Sequence, residues 1–188
     1  CRTGCWSNHR TGCCSYHTDY LIPSELEAQE LTGETDPEKM ADVILSWGPK
    51  GVIIKLGSEG SYIKDAEGGV HVKPFPVHAI DTTGAGDNFA AGFVTALSKG
   101  FTFRQAAEFA SAVGSLSTEK VGSTTAIESF DQVIAFMKKC GPDNPNIYGI
   151  CGIILLLRTV SFTDIINPSV INFWNGLPPV LSTIRIWR

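Results

Sequence analysis

The stretch Ala79-Ile80-Asp81-Thr82-Thr83-Gly84-Ala85-Gly86-Asp87-Asn88-Phe89 decides how this chain is read. An apolar lead-in passes into two threonines, then Gly-Ala-Gly, then an acid that opens an amphipathic segment. Phe89, Phe93 and Leu97 follow Asp87 at four-residue spacing, which predicts a helix with its apolar stripe turned inward. Gly84 and Gly86 permit a sharp turn and a close approach of backbone N–H groups to a ligand. Such groups, at the positive end of a helix dipole, form a site for a phosphate or a developing oxyanion. Asp87 stands where an anion is drawn in, yet is itself an anion. Its carboxylate is placed to take a proton from a hydroxyl beside the phosphate, which is the chemistry of phosphoryl transfer. A bare Gly-x-Gly turn would ask less of Asp87, since an acid in a first helical turn also complements the dipole.

Length and charge narrow the rest. The 188 residues can bury one good core, so one domain is expected. A net charge of −4 and an isoelectric point near 5.5 argue against a nucleic-acid binder, whose footprint would be basic. Hydrophobic residues make up 43% and the mean hydropathy is +0.07, as in a soluble globular protein. The most apolar run, residues 147–157, is broken by Gly149 and Gly152 and stopped by Arg158, too short for a bilayer span. No membrane partner is expected, and the N-terminus lacks the order of a signal peptide, so the cytoplasm is the default setting. All six cysteines lie outside residues 19–139. Cys1, Cys5, Cys13 and Cys14, with His9 and His17, match no usual zinc spacing, and a disulfide framework does not suit the chain between the tails.

Residues 19–139 read as α/β alternation. Residues 19–22 form a short apolar strand ending at Pro23, and Ser24 starts a helix through Leu31 that Gly33 closes. Ser24 and Glu27 stand in capping-box spacing. Asp36-Pro37 opens a second helix, with Met40, Ile44 and Trp47 inward. Residues 52–56 make a strand apolar enough to be covered on both faces. Residues 57–60 turn the chain back into Ser61-Tyr62-Ile63, and a polar turn leads to Val70-His71-Val72. After the Asp87 helix, residues 103–118 form a helix with a small-residue face (Ala106, Ala107, Ala110, Val113, Gly114), and residues 130–138 form another.

The string Asp-Thr-Thr-Gly-Ala-Gly-Asp-x-Phe resembles the ribokinase-like (PfkB-type) family of carbohydrate and nucleoside kinases, whose C-terminal half carries it. The resemblance implies Asp87 as catalytic base and the amides around Gly84, Ala85, Gly86 and Asp87 as an anion hole. It places Asp81 and Thr83 near a monovalent-cation site, such as one for K⁺; a turn in which both cap their own backbone serves equally. Pro23-Ser24-Glu25-Leu26-Glu27 looks like a family stretch whose Glu helps organise Mg²⁺, although Ser24 stands where Asn is usual. The capping box explains Ser24 and Glu27 without a metal. Lys55-Leu56-Gly57-Ser58-Glu59-Gly60 resembles the turn that touches the nucleotide phosphates, where Thr-Leu-Gly is frequent. There Gly57 allows close approach and Lys55 is able to pair with a phosphate, while Gly60 suits any tight turn. Ser111 matches a position near the nucleotide, though it also suits core packing, and residues 122–125 resemble the loop closing the adenine and cation side. His71 and His78 read as surface residues.

The resemblance covers residues 19–139 and implies a partial ribokinase-like doubly wound sheet with helices on both faces. Its implied activity is ATP- and Mg²⁺-dependent phosphorylation of a hydroxyl on a sugar or nucleoside. The family's N-terminal half, which supplies the acceptor site and lid, has no counterpart in residues 1–18, a Cys-rich tail of foreign composition. Residues 140–188, apolar but unpatterned, are expected to be poorly ordered. An inactive nucleotide-binding fragment is the rival reading. A half domain that pairs with a partner chain or dimerises is a third, because half a sheet leaves an open edge.

Overall fold

The computed structural model describes residues 18–140, so both tails singled out above lie outside the described residues apart from Thr18 and Cys140. Four strands, β1 (Tyr20–Leu21), β2 (Gly51–Lys55), β3 (Ser61–Asp65) and β4 (Gly68–Val72), lie side by side in that order. Five helices accompany them: α1 (Glu25–Thr32), α2 (Pro37–Leu45), α3 (Ala85–Ser98), α4 (Phe103–Ser117) and α5 (Phe130–Cys140). The α/β class stands, with a mixed sheet: β1 is parallel to β2, while β2–β3 and β3–β4 are antiparallel. The parallel pair needs a crossover, which α1 and α2 supply; the antiparallel pairs need only short turns.

Local chemistry sets each boundary. Ser24 caps α1 in a reciprocal box: its hydroxyl accepts from the Glu27 N–H while the Glu27 carboxylate accepts from the Ser24 N–H. The Asp36 carboxylate accepts from the N–H groups of Glu38 and Lys39, and Pro37 occupies the first turn of α2. Thr102 and Gln105 form a second capping box at the start of α4.

The alternation of β2 splits the core into two layers. Val52 and Ile54 are fully buried against Ala28, Met40, Ala41 and Ile44, with Trp47 packed at the rim. Gly51 points the other way, where a Cβ would stand 2.8 Å from the Phe103 ring. Phe103 stacks on Tyr20 at 5.4 Å between centroids, and Phe93 meets Tyr20 edge-on. Helices thus cover both faces. In α3 the inward stripe is Phe89, Gly92, Phe93 and Ala96, with Leu97 half-buried. A Cβ on Gly92 would stand 2.9 Å from Val113, so α3 and α4 meet closely through the small-residue face of α4. The strand expected at residues 70–72 starts earlier, at Gly68, because Gly69 leaves room for the Tyr62 ring across the pairing of β3 and β4.

Candidate active site

A cleft of about 670 Å³ opens between the carboxyl end of β2, the segment following β4, and the facing ends of α3 and α4. Lys55, Gly57, Gly60, Ala85, Gly86 and Ser111 all line it. The structure also brings in residues that the sequence gave no reason to name: Pro74, Phe75, Pro76 and Val77 form an apolar wall. That wall is held from α4. Ser111 Oγ donates to the Lys73 carbonyl at 3.3 Å, and the Phe75 N–H donates to Ser115 Oγ at 3.2 Å. Phe136 of α5 packs behind Phe75, with ring centroids 5.6 Å apart. Ser111, buried in α4, therefore serves the cleft through the wall it fixes.

The Gly-Ala-Gly loop has one turning residue. Gly84 alone adopts the left-handed region there, at φ 75°, and caps α3, whereas Gly86 is already helical. A Cβ on Gly84 would stand 2.7 Å from the Ser123 Cβ, so the turn and the 122–125 loop are fitted together. Asn88 ties the same two segments, its side-chain N–H₂ donating to the carbonyls of Gly84 (2.9 Å) and Ser123. The Ala85 N–H donates to the Thr82 carbonyl at 3.1 Å. Among the described residues no acceptor takes the N–H groups of Gly86 and Asp87, the next two in the first turn of α3. The Asp87 carboxylate is exposed and likewise has no partner among them. The first turn therefore presents two free donors and a free carboxylate side by side.

Two further acids, like Asp87, stand outside the cleft lining: Asp81 precedes Thr82 and Glu27 is bonded to Ser24, and it is Thr82 and Ser24 that line the cleft. Asp81 Oδ1 accepts from the Thr83 N–H at 2.9 Å and Oδ2 from the Gly122 N–H at 3.0 Å. These bonds, the Gly122 one foremost, hold its carboxyl down at about 2. The Ile80 and Asp81 N–H groups both reach the Thr118 carbonyl, so this corner is pinned to the end of α4. Asp81 and Thr83 are brought together as an Asx turn. The Glu27 carboxyl is also held below its ordinary range, first by the Ser24 backbone and side-chain hydrogen bonds and to a lesser degree by the charge of Lys55. Both Ser24 contacts fall on Oε2, leaving Oε1 outside the cap. Among the described residues no group of three or more His, Cys, Asp or Glu side chains is placed to hold a metal by itself. His71 and His78 are exposed.

Residues 10–129 match the model of the pfkB family of carbohydrate kinases. The chain belongs to that family. Its match begins inside the Cys-rich segment and ends before α5. Over 120 residues the chain is 32% identical to 2-dehydro-3-deoxygluconokinase of Bacillus subtilis, covering 63% of this chain and 37% of that one. Among solved structures it is similar to ribokinase from Thermotoga maritima, with a TM-score of 0.61 and 34% identity over 70% of this chain and 45% of that one. It is also similar to the fructokinase of Vibrio cholerae in its fructose-, ADP- and calcium-bound form, with a TM-score of 0.57 and 31% identity over 63% and 40% of the two chains. The fold is ribokinase-like. The chain spans about two-fifths of the length of the curated relatives it matches.

Proposed function

We propose that residues 19–139 form the nucleotide and phosphoryl-transfer side of an ATP-dependent carbohydrate kinase. The observation that carries this is the first turn of α3, where Ala85 and Gly86 line the cleft and the free Gly86 and Asp87 N–H groups adjoin the exposed, unpartnered Asp87 carboxylate. The Asp87 carboxylate takes the proton of an acceptor hydroxyl as that oxygen bonds to the γ-phosphorus. The bond between the γ-phosphorus and the bridging oxygen breaks, and ADP leaves. The amides stabilise charge on the equatorial oxygens. The apolar wall of Pro74, Phe75 and Val77 suits the flat face of a nucleobase.

Mg²⁺ fits as a partner of the nucleotide, because it is commonly held by one or two carboxylates together with phosphates and water. Glu27 is the residue that would hold it here, through Oε1 or a water. When bound, Mg²⁺ neutralises charge on the phosphates. Asp81 and Thr83, with the 122–125 loop, mark the side for a monovalent cation such as K⁺. The acceptor is a sugar or nucleoside, in keeping with the fructose in the Vibrio cholerae structure. An ATP-fed reaction is in keeping with a cytoplasmic setting, and the edge that β1 forms in the sheet of the described residues is the route to a dimer or partner chain. No helix among the described residues is long and apolar enough to cross a membrane.

Titrating the chain with ATP, with folding followed by circular dichroism, tests this reading. The parent should bind ATP, and Gly86→Val should stay helical and lose that binding, because a branched side chain would stand over the free amides. A folded Gly86→Val that binds ATP as the parent does would reduce the loop to a turn.

A further inference from the structure

We infer that Asn88 is a positioning residue for the phosphate site: its side-chain amide locks the first turn of α3 to the 122–125 loop and so fixes where the Gly86 and Asp87 N–H groups point. This role rests on the proposed nucleotide site and works through the protein's own backbone, with no contact to the ligand. Asn88 follows Asp87 directly at the start of α3 and is half-buried. Its amide nitrogen faces two carbonyls, that of Gly84 at 2.9 Å and that of Ser123. Carbonyls only accept, so the N–H₂ end must point to them, and each of its two N–H bonds has its acceptor. The Gly84 carbonyl also takes the Asn88 backbone N–H at 2.9 Å. Asn88 is therefore rooted in the helix, and its side chain carries that root to a residue thirty-five positions along.

A second tie closes a ring. Asp81 accepts from the Gly122 N–H at 3.0 Å, so residues 81–88 are strapped at both ends to two adjacent residues, Gly122 and Ser123. Between the straps stands Gly84, the left-handed residue that turns the chain into α3 and packs on the Ser123 Cβ. A glycine in such a turn has the widest backbone freedom of any residue, and the straps remove it. The Gly86 and Asp87 amides lie between that turn and Asn88, so their direction is set by both. Donors held in place by the protein bind a phosphate more tightly than donors that must be ordered by it. Asn is a weaker helix former than Leu or Ala, so replacing it with either removes the strap and keeps the helix.

The test is equilibrium binding of ATP, inorganic tripolyphosphate and adenosine to the purified 188-residue chain and to its Asn88→Leu and Asn88→Ala variants. Leu matches the branched shape of Asn without its donors, and Ala removes the side chain, so a packing fault in one variant is checked by the other. Both should bind ATP and tripolyphosphate about tenfold more weakly than the parent, and adenosine within about twofold of it, as expected for the loss of two hydrogen bonds that act on the phosphate end alone. A merely structural role would lower all three affinities together. Variants that bind the phosphate ligands as the parent does, or that lose ATP and adenosine in equal measure, overturn the role of Asn88 and leave the proposed nucleotide site standing. A parent that binds neither ATP nor tripolyphosphate overturns that site and the role of Asn88 with it.

Discussion

Two glycine turns face the same cleft, and they hold their glycines for different reasons. In the turn after β2, Gly60 has φ 91°, and a Cβ there would run into the Val72 carbonyl and the ring of Pro74. In the loop before α3, Gly84 has φ 75° and is pressed against Ser123. Both positions are dictated by the protein's own backbone. Gly86, two residues on, has helical backbone and meets only the far end of the Lys55 side chain. Nothing in the protein's packing requires a glycine there. The contrast separates glycines that make the turn from the one that leaves space for a ligand.

Substitution sharpens that contrast. Gly60→Ala and Gly84→Ala should each lower stability by about 1–3 kcal/mol, Gly60→Ala the more, as read from urea unfolding midpoints. Gly86→Ala should leave stability within about 1 kcal/mol of the parent, since alanine is the better helix former. If Gly86→Ala unfolds the chain as readily as Gly84→Ala, the distinction between the two kinds of glycine is lost. Ser24→Ala should cost about 1 kcal/mol by removing half of the capping box, and the Glu27 carboxyl should titrate closer to its ordinary value by NMR.

Asp81 gives the smallest effect and a definite sign. Its folded pKa, about 2, lies below the ordinary 3.8, so its contribution is present above that ordinary value and is lost as pH falls from 3.8 toward about 2. Asp81→Asn should flatten the acid side of the stability profile over that window and loosen the 122–125 loop. An unchanged slope would show that the Gly122 and Thr83 bonds add nothing.

What could be read in advance follows the range of the interactions. The capping box at Ser24 and the Asp36-Pro37 helix start are contacts over two or three residues, and the sequence states them directly. The helix start at Asp87 and the Gly84 turn before it were legible because a continuous string carries them. The sharp-turn role expected of Gly86 was not right, because its backbone is that of a helix, and only Gly84 turns. The wall of residues 74–77 was not legible, since it has no period and is held by bonds such as Phe75 to Ser115, forty residues apart. Asn88 was hidden in the same way: its role rests on the Ser123 carbonyl, thirty-five residues along. Ser111 was legible as a position, but its partner, the Lys73 carbonyl, was not.

Turnover decides whether Asp87 is the base of a phosphoryl transfer. Residues 19–139 would replace the matching segment of a complete ribokinase relative, and ATP-dependent phosphorylation would be compared with and without Asp87→Asn. Asp87→Asn should lower kcat by at least about 100-fold, with ATP affinity within a few-fold of the parent, because the carboxylate acts on the acceptor hydroxyl. An Asp87→Asn chimaera that turns over within a few-fold of its parent would contradict it.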